Sequence, residues 1–118
     1  MSVKNLTDDE FQNLLKTEGV YIVDFWATWC PPCKVMGPIF EELSDDSDLQ
    51  KIQFLKLDVD ENPETAQFFG ISSIPTFCVF VTTGKEDFDL KNNVKANFVG
   101  TLPKADFKEK ILEILKNI

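Results

Sequence analysis

Val20-Tyr21-Ile22-Val23-Asp24-Phe25-Trp26 leads within a few residues into Trp29-Cys30-Pro31-Pro32-Cys33-Lys34, and the junction between them decides the fold. The first stretch is an almost unbroken apolar run, the pattern of a strand covered on both faces, with Asp24 its one charged member. Beyond the prolines, Val35, Met36, Ile39, Phe40 and Leu43 recur at helical spacing. Pro38 falls inside that helix and should kink it, because the bond back to the Lys34 carbonyl cannot form. Two cysteines separated by two residues, between a buried strand and a helix, point to dithiol redox chemistry. At the first turn of a helix, free N–H groups and the positive dipole end stabilise an anion. Cys30 should therefore carry a raised thiolate fraction. Cys33, one turn later and deeper, can close a small disulfide ring and should stay protonated until a base takes its proton.

Upstream, Thr7 with Glu10 forms a capping-box signature, and Leu6 and Phe11 fit the hydrophobic staple around it. Phe11, Leu14 and Leu15 stripe this helix, and Gly19 is expected to end the segment. Downstream, Asp45 to Asp48 reads as a solvated loop and Ile52 to Val59 as a second buried strand, interrupted by Lys56. Asn62-Pro63 reads as a cap and first-turn proline of a short helix that Gly70 closes. Pro75 to Val81 forms a third strand, and Val94 to Val99, with Lys95 and Asn97 interleaved, a half-exposed one. Lys85 to Asn93 between them is polar, a hairpin extension or a long loop. Pro103 starts a last helix striped by Phe107, Ile111, Ile114, Leu115 and Ile118. The order β–α–β–α–β–α–β–β–α predicts an α/β fold, a mixed sheet with helices on both faces. Its parallel members should be joined by right-handed crossovers.

A chain of 118 residues, 43% of them hydrophobic, suits one packed domain over 1–118. There is no histidine, and all twelve basic residues are lysine. That excludes a Ser-His-Asp triad, a Cys-His dyad and any His-ligated metal. A net charge of −8 argues against nucleic acid as a partner. No apolar run approaches the ~18 residues of a membrane span, and the first ten residues do not resemble a signal peptide. A cytoplasmic, monomeric protein is expected.

Each candidate residue has a bland alternative. Cys30 and Cys33 could be half a structural zinc site, but zinc takes four ligands. With Cys78 the only other cysteine, one chain cannot complete a Cys/His site. Cys78, among Phe77, Val79 and Phe80, reads as an inert core thiol rather than a regulatory one. Asp24 either faces an edge or solvated pocket, or transfers a proton; six residues before Cys30, proton transfer is favoured. Lys56 either snorkels outward or pairs with Asp24. Trp26 reads mainly as packing and Trp29 as docking surface, the alternative for either being plain core. Asp58, Asp60 and Glu61 lack the spacing of a calcium loop and read as a solvated strand end.

Val23 to Lys34 resembles the active-site segment of the thioredoxin family. The likeness continues in Lys56-Leu57-Asp58-Val59-Asp60, Phe69-Gly70-Ile71, Ile74-Pro75-Thr76 and Val99-Gly100, in order along almost the whole chain. The resemblance implies the thioredoxin fold and a thiol–disulfide oxidoreductase that reduces protein disulfides and contributes to redox homeostasis. It implies Cys30 as nucleophile and Cys33 as resolving thiol, with Asp24 exchanging a proton with Cys33 and Lys56 tuning it. Pro75 would be cis, facing the disulfide, with its neighbours' backbone pairing to an extended substrate. Trp29, Ile74 and Gly100, with Pro31 and Pro32, would frame the docking surface. No cofactor is implied, since two sulfurs carry both electrons, and the implied reductant is thioredoxin reductase, an NADPH-dependent flavoprotein. A dedicated reductase of one partner and a non-catalytic binding subunit are the alternatives.

Two departures from the family stand out. The usual Gly-Pro between the cysteines is Pro31-Pro32 here, a pair similar to that of membrane-anchored thioredoxin-like reductases of cytochrome maturation and of some stand-alone members. Pro31 removes a backbone N–H near the Cys30 sulfur and should reduce hydrogen bonding to the thiolate while stiffening the ring. The interval from Gly84 to Gly100 is also longer than the family's short hairpin, as a partner surface or a neutral insertion.

Overall fold

A computed structural model of the chain describes residues 3–85 and 89–118. Its elements are β1 (Val3–Asn5), α1 (Asp8–Leu14), β2 (Glu18–Trp26), α2 (Pro31–Ser44), β3 (Gln53–Asp58), α3 (Pro63–Phe68), β4 (Thr76–Thr83), β5 (Val94–Val99) and α4 (Lys104–Lys116). The strands form one mixed sheet in the order β1-β3-β2-β4-β5. β2 lies at the centre, parallel to β3 and antiparallel to β4. Asp24 stands opposite Lys56 on one side and Phe77 on the other.

Because successive strand residues face opposite ways, β2 feeds two cores. Tyr21, Val23 and Phe25 join Phe11 and Phe80 on one face, whereas Ile22 joins Met36, Phe40 and Phe107 on the other. The second face is held by aromatic contacts between elements. Phe77 of β4 lies 5.5 Å from Phe40 of α2 and 4.8 Å from Phe107 of α4, centroid to centroid. Each such pair contributes about 0.5–1.5 kcal/mol beyond burial itself, so α2 and α4 are both held against β4, the neighbour of the strand that leads to Cys30.

Several local expectations change in the folded chain. Gly19 does not end a helix; α1 stops at Leu14, and Gly19 is already in β2, paired with Thr82. The Tyr21 side chain covers it so closely that a Cβ there would meet the phenolic oxygen at 2.6 Å. Asn62 occupies the cap position of α3 without capping its own helix, and its Oδ1 instead accepts from the Asp8 N–H at 3.0 Å. In return the Asp8 carboxylate accepts from the amides of Glu64 and Thr65 and from the Thr65 hydroxyl. The acidic run after α2 is more than a solvated loop: Asp46 and Asp48 both hold the Lys108 ammonium of α4 at 2.9 Å. As the sequence predicts, α2 runs through Pro38, as far as Ser44.

β4 starts beside Phe25 and ends beside Glu18, so the β4–β5 connection lies at the far end of the sheet, about 25 Å along the strand. Leu90 in this connection is buried in the Phe11–Phe80 core, and a 3₁₀ turn at Lys91–Asn93 leads into β5. Of the polar interval read from the sequence, residues 86–88 lie outside the described residues.

Candidate active site

The end of β2 delivers the chain to Cys30, the N-cap of α2. Pro31 and Pro32 suit the first turn because their missing N–H groups have no helical acceptor there. The first amide available to the cap is that of Cys33, which donates to the Cys30 Sγ at 3.3 Å. Both cysteines are buried and joined as a disulfide, with Cα atoms 5.3 Å apart. The Cys30 sulfur also lies 3.8 Å from the Ile74 carbonyl oxygen. Ile74–Pro75 is a cis peptide. The Pro75 carbonyl in turn accepts from the Gly100 amide at 2.9 Å. Thus β4 and the end of β5 are brought against the helix start from segments 40 and more residues downstream.

Asp24 is 4% exposed, and its Oδ1 has no hydrogen-bond partner. Burial pushes its carboxyl up to about 7, against the opposing pull of the Lys56 charge. Asp24 and Cys33 face a common cavity of about 280 Å³, whose walls include Trp26, Lys34, Pro38 and Lys56. Lys56 is beside Asp24 in the sheet, but its ammonium sits over the Trp26 ring, 5.6 Å from the centroid, rather than in ion-pair contact with the carboxylate. It therefore acts on Asp24 through space. Pro31 and Pro32 are exposed on the first turn.

Trp29 is 65% exposed, yet its indole is not free: Nε1 donates to Asp60 Oδ2 at 2.7 Å. Asp60, read from the sequence as part of a solvated strand end, is thus a support of the exposed indole. The Val59 amide bonds to the Trp26 carbonyl and lays the two loops side by side. Cys78 is fully buried on β4, and desolvation pushes its thiol up to about 12, as an inert core residue requires. Among the described residues no group of three or more Cys, Asp or Glu is arranged to hold a metal ion, and no helix is long and apolar enough to cross a membrane.

Comparison with known proteins agrees with this geometry. The family model described as Thioredoxin matches residues 2–113. The thioredoxin of Staphylococcus saprophyticus is 52% identical over 80 residues, covering 68% of this chain and 75% of that protein. That of Staphylococcus aureus is 50% identical over 80 residues, with the same coverage. The crystal structure of Malassezia sympodialis thioredoxin superposes with a TM-score of 0.77 at 33% identity, covering 96% of this chain and 93% of that one. A match over nearly the full length, carried by a dithiol at a helix start, places the chain in the thioredoxin family, as a thiol–disulfide oxidoreductase of the protein-disulfide reductase type.

Proposed function

We propose that this domain, spanning 1–118, reduces protein disulfides in the cytoplasm with Cys30 as the attacking and Cys33 as the resolving sulfur. The observation that carries the assignment is the asymmetry of the pair. Cys30 Sγ caps α2 and accepts the Cys33 amide, a position that stabilises a thiolate, whereas Cys33 shares a cavity with Asp24. The Cys30 thiolate attacks one sulfur of a substrate disulfide and expels the other as a thiolate, leaving a mixed disulfide. Cys33 loses its proton to the Asp24 carboxylate and attacks the Cys30 sulfur. The second substrate sulfur then leaves as a thiolate, and the Cys30–Cys33 disulfide holds the pair of electrons' worth of oxidation taken from the substrate. A carboxyl with a pKa of about 7 is suited to both accepting and returning that proton near neutrality. Lys56 tunes it through space. Trp29, Ile74, Pro75 and Gly100, with Pro31 and Pro32 at the rim, form the docking surface.

The disulfide formed in each cycle is reduced again by thioredoxin reductase, the NADPH-dependent flavoprotein that membership of the family implies. The redox group is the protein's own pair of sulfurs, and the domain takes no added cofactor. The decisive experiment uses single cysteine variants. Cys30→Ser is expected to abolish reduction of a protein disulfide, and Cys33→Ser to accumulate mixed disulfides visible on a non-reducing gel. Normal turnover by Cys33→Ser without adducts would refute the assignment.

A further inference from the structure

Two hydrogen bonds hold the segment between β5 and α4 against the active site. Gly100, at φ +87°, donates its N–H to the Pro75 carbonyl at 2.9 Å. Two residues later, the Leu102 N–H donates to the Sδ of Met36 at 3.4 Å. Met36 is fully buried on α2, three residues after Cys33, and Leu102 packs against the same core cluster. A thioether is a weak acceptor. A partly buried amide is nonetheless better served by sulfur than by nothing, since backbone donors left unpaired away from water are costly. The segment so tethered carries Val99, 62% exposed and opposite Thr76 in the sheet, and Gly100. One anchor is the carbonyl of Pro75, the residue after Ile74, whose own carbonyl lies 3.8 Å from the Cys30 sulfur, and the other is the helix that bears the dithiol.

We propose that Met36 is a positioning residue for substrate docking. Its sulfur fixes residues 100–102 relative to α2, so that the edge formed by Val99 and Gly100 stays in register with Ile74 and the Cys30 sulfur. Met36 touches no substrate and acts only through the Leu102 amide. The inference rests on the docking role assigned above to Ile74, Pro75 and Gly100.

The chain contains two methionines, Met1 and Met36, so biosynthetic replacement with norleucine exchanges the buried sulfur for a methylene at nearly constant shape. In the norleucine protein, the Leu102 amide should exchange with solvent about threefold to tenfold faster, the range for losing one weak hydrogen bond. KM for insulin reduction should rise by a similar factor of about three to ten, while kcat and the reduction of bis(2-hydroxyethyl) disulfide, too small to use the docking edge, stay at parental values. Selenomethionine, which keeps a chalcogen acceptor, should leave all of these at parental values. Met36→Leu, which leaves Met1 in place, should repeat the norleucine result. Unchanged Leu102 exchange would show that the sulfur is no tether and would overturn the inference by itself. Faster exchange with unchanged KM for insulin would overturn it by a different route, because residues 100–102 would then lie outside the docking surface. Equal loss on both substrates would assign Met36 to general packing and would also overturn it.

Discussion

Asp24 carries the clearest conflict between stability and chemistry in the molecule. Its carboxyl is buried in the middle of an apolar strand and, mainly through desolvation, titrates at about 7 against an ordinary value of 3.8, with Lys56 pulling the other way. Between those two values the folded protein binds a proton that the unfolded chain has released. Stability therefore falls as pH rises through that window and levels off above about 7. The rise from 3.8 to about 7 corresponds to about 4 kcal/mol. Asp24→Asn keeps the shape and removes the ionisation, so urea unfolding at pH 8 should show a gain of about 2–4 kcal/mol, with little change at pH 4. An equal gain at both values would rule out burial of charge as the cause. In single-turnover kinetics the same variant should slow resolution by Cys33 more than attack by Cys30. Asp24 was legible in the sequence because a charge inside an apolar run is costly and needs a reason. Asp60 was not, since its partner Trp29 is 31 residues away and the pairing exists only after β2 and β3 align.

The helix starts show how neighbouring elements supply what local sequence does not. In α2 the sulfur at the cap meets the amide of the third helical residue, Cys33, the usual choice for a capping side chain being the second or third. Pro31 is the first helical residue, so its missing N–H costs the Cys30 thiolate less hydrogen bonding than the sequence suggested. Its larger effect is conformational, since proline restricts the open dithiol before the ring closes. Pro31→Gly should raise the potential by about 10–20 mV, the equivalent of about 0.4–1 kcal/mol. Equilibration against a glutathione buffer measures this, and a fall in potential would contradict it. In α1 and α3 the capping is exchanged between helices. Burial alone would raise the Asp8 pKa, but bonds from the Thr65 hydroxyl and the Thr65 and Glu64 amides outweigh it and hold the carboxyl below 3.8. That contribution is present above the unfolded pKa and is lost as pH falls through the depressed folded value. Asp8→Ala should cost about 1–2 kcal/mol at pH 7, with parent and variant converging in acid. A cost that persists undiminished at low pH would deny the carboxylate its role. The Thr7–Glu10 box was readable because its partners are three residues apart, while the Asp8–Thr65 contact spans 57 and left no local mark.

Over the whole molecule, the residues that gave the fold away in the sequence are those gathered at one end of the sheet. Cys30, Ile74, Pro75 and Gly100 come from three separate segments, held together by the approach of the Ile74 carbonyl to the Cys30 sulfur and by the Gly100 amide on the Pro75 carbonyl. The interval between β4 and β5 obeys no such constraint. It was legible only as a polar departure, because Leu90, which buries itself in the core among the described residues, is a single apolar residue with no periodic partners. The antiparallel course of β4 carries this connection to the end of the sheet away from the dithiol. It is therefore free to vary without disturbing Cys30, provided Leu90 still closes the core around Phe11 and Phe80. Leu90→Ala separates these two demands. Removing a 5% exposed leucine side chain should lower stability by about 2–3 kcal/mol, through lost burial and a residual cavity. The kcat/KM for protein disulfides and the reduction potential should stay at parental values, because the connection lies at the end of the sheet away from the cysteines. Urea unfolding together with insulin reduction tests both halves. A loss of kcat/KM in a variant that remains folded would mean that the far end of the sheet takes part in substrate capture, and that the long connection is a partner surface instead of a tolerated insertion.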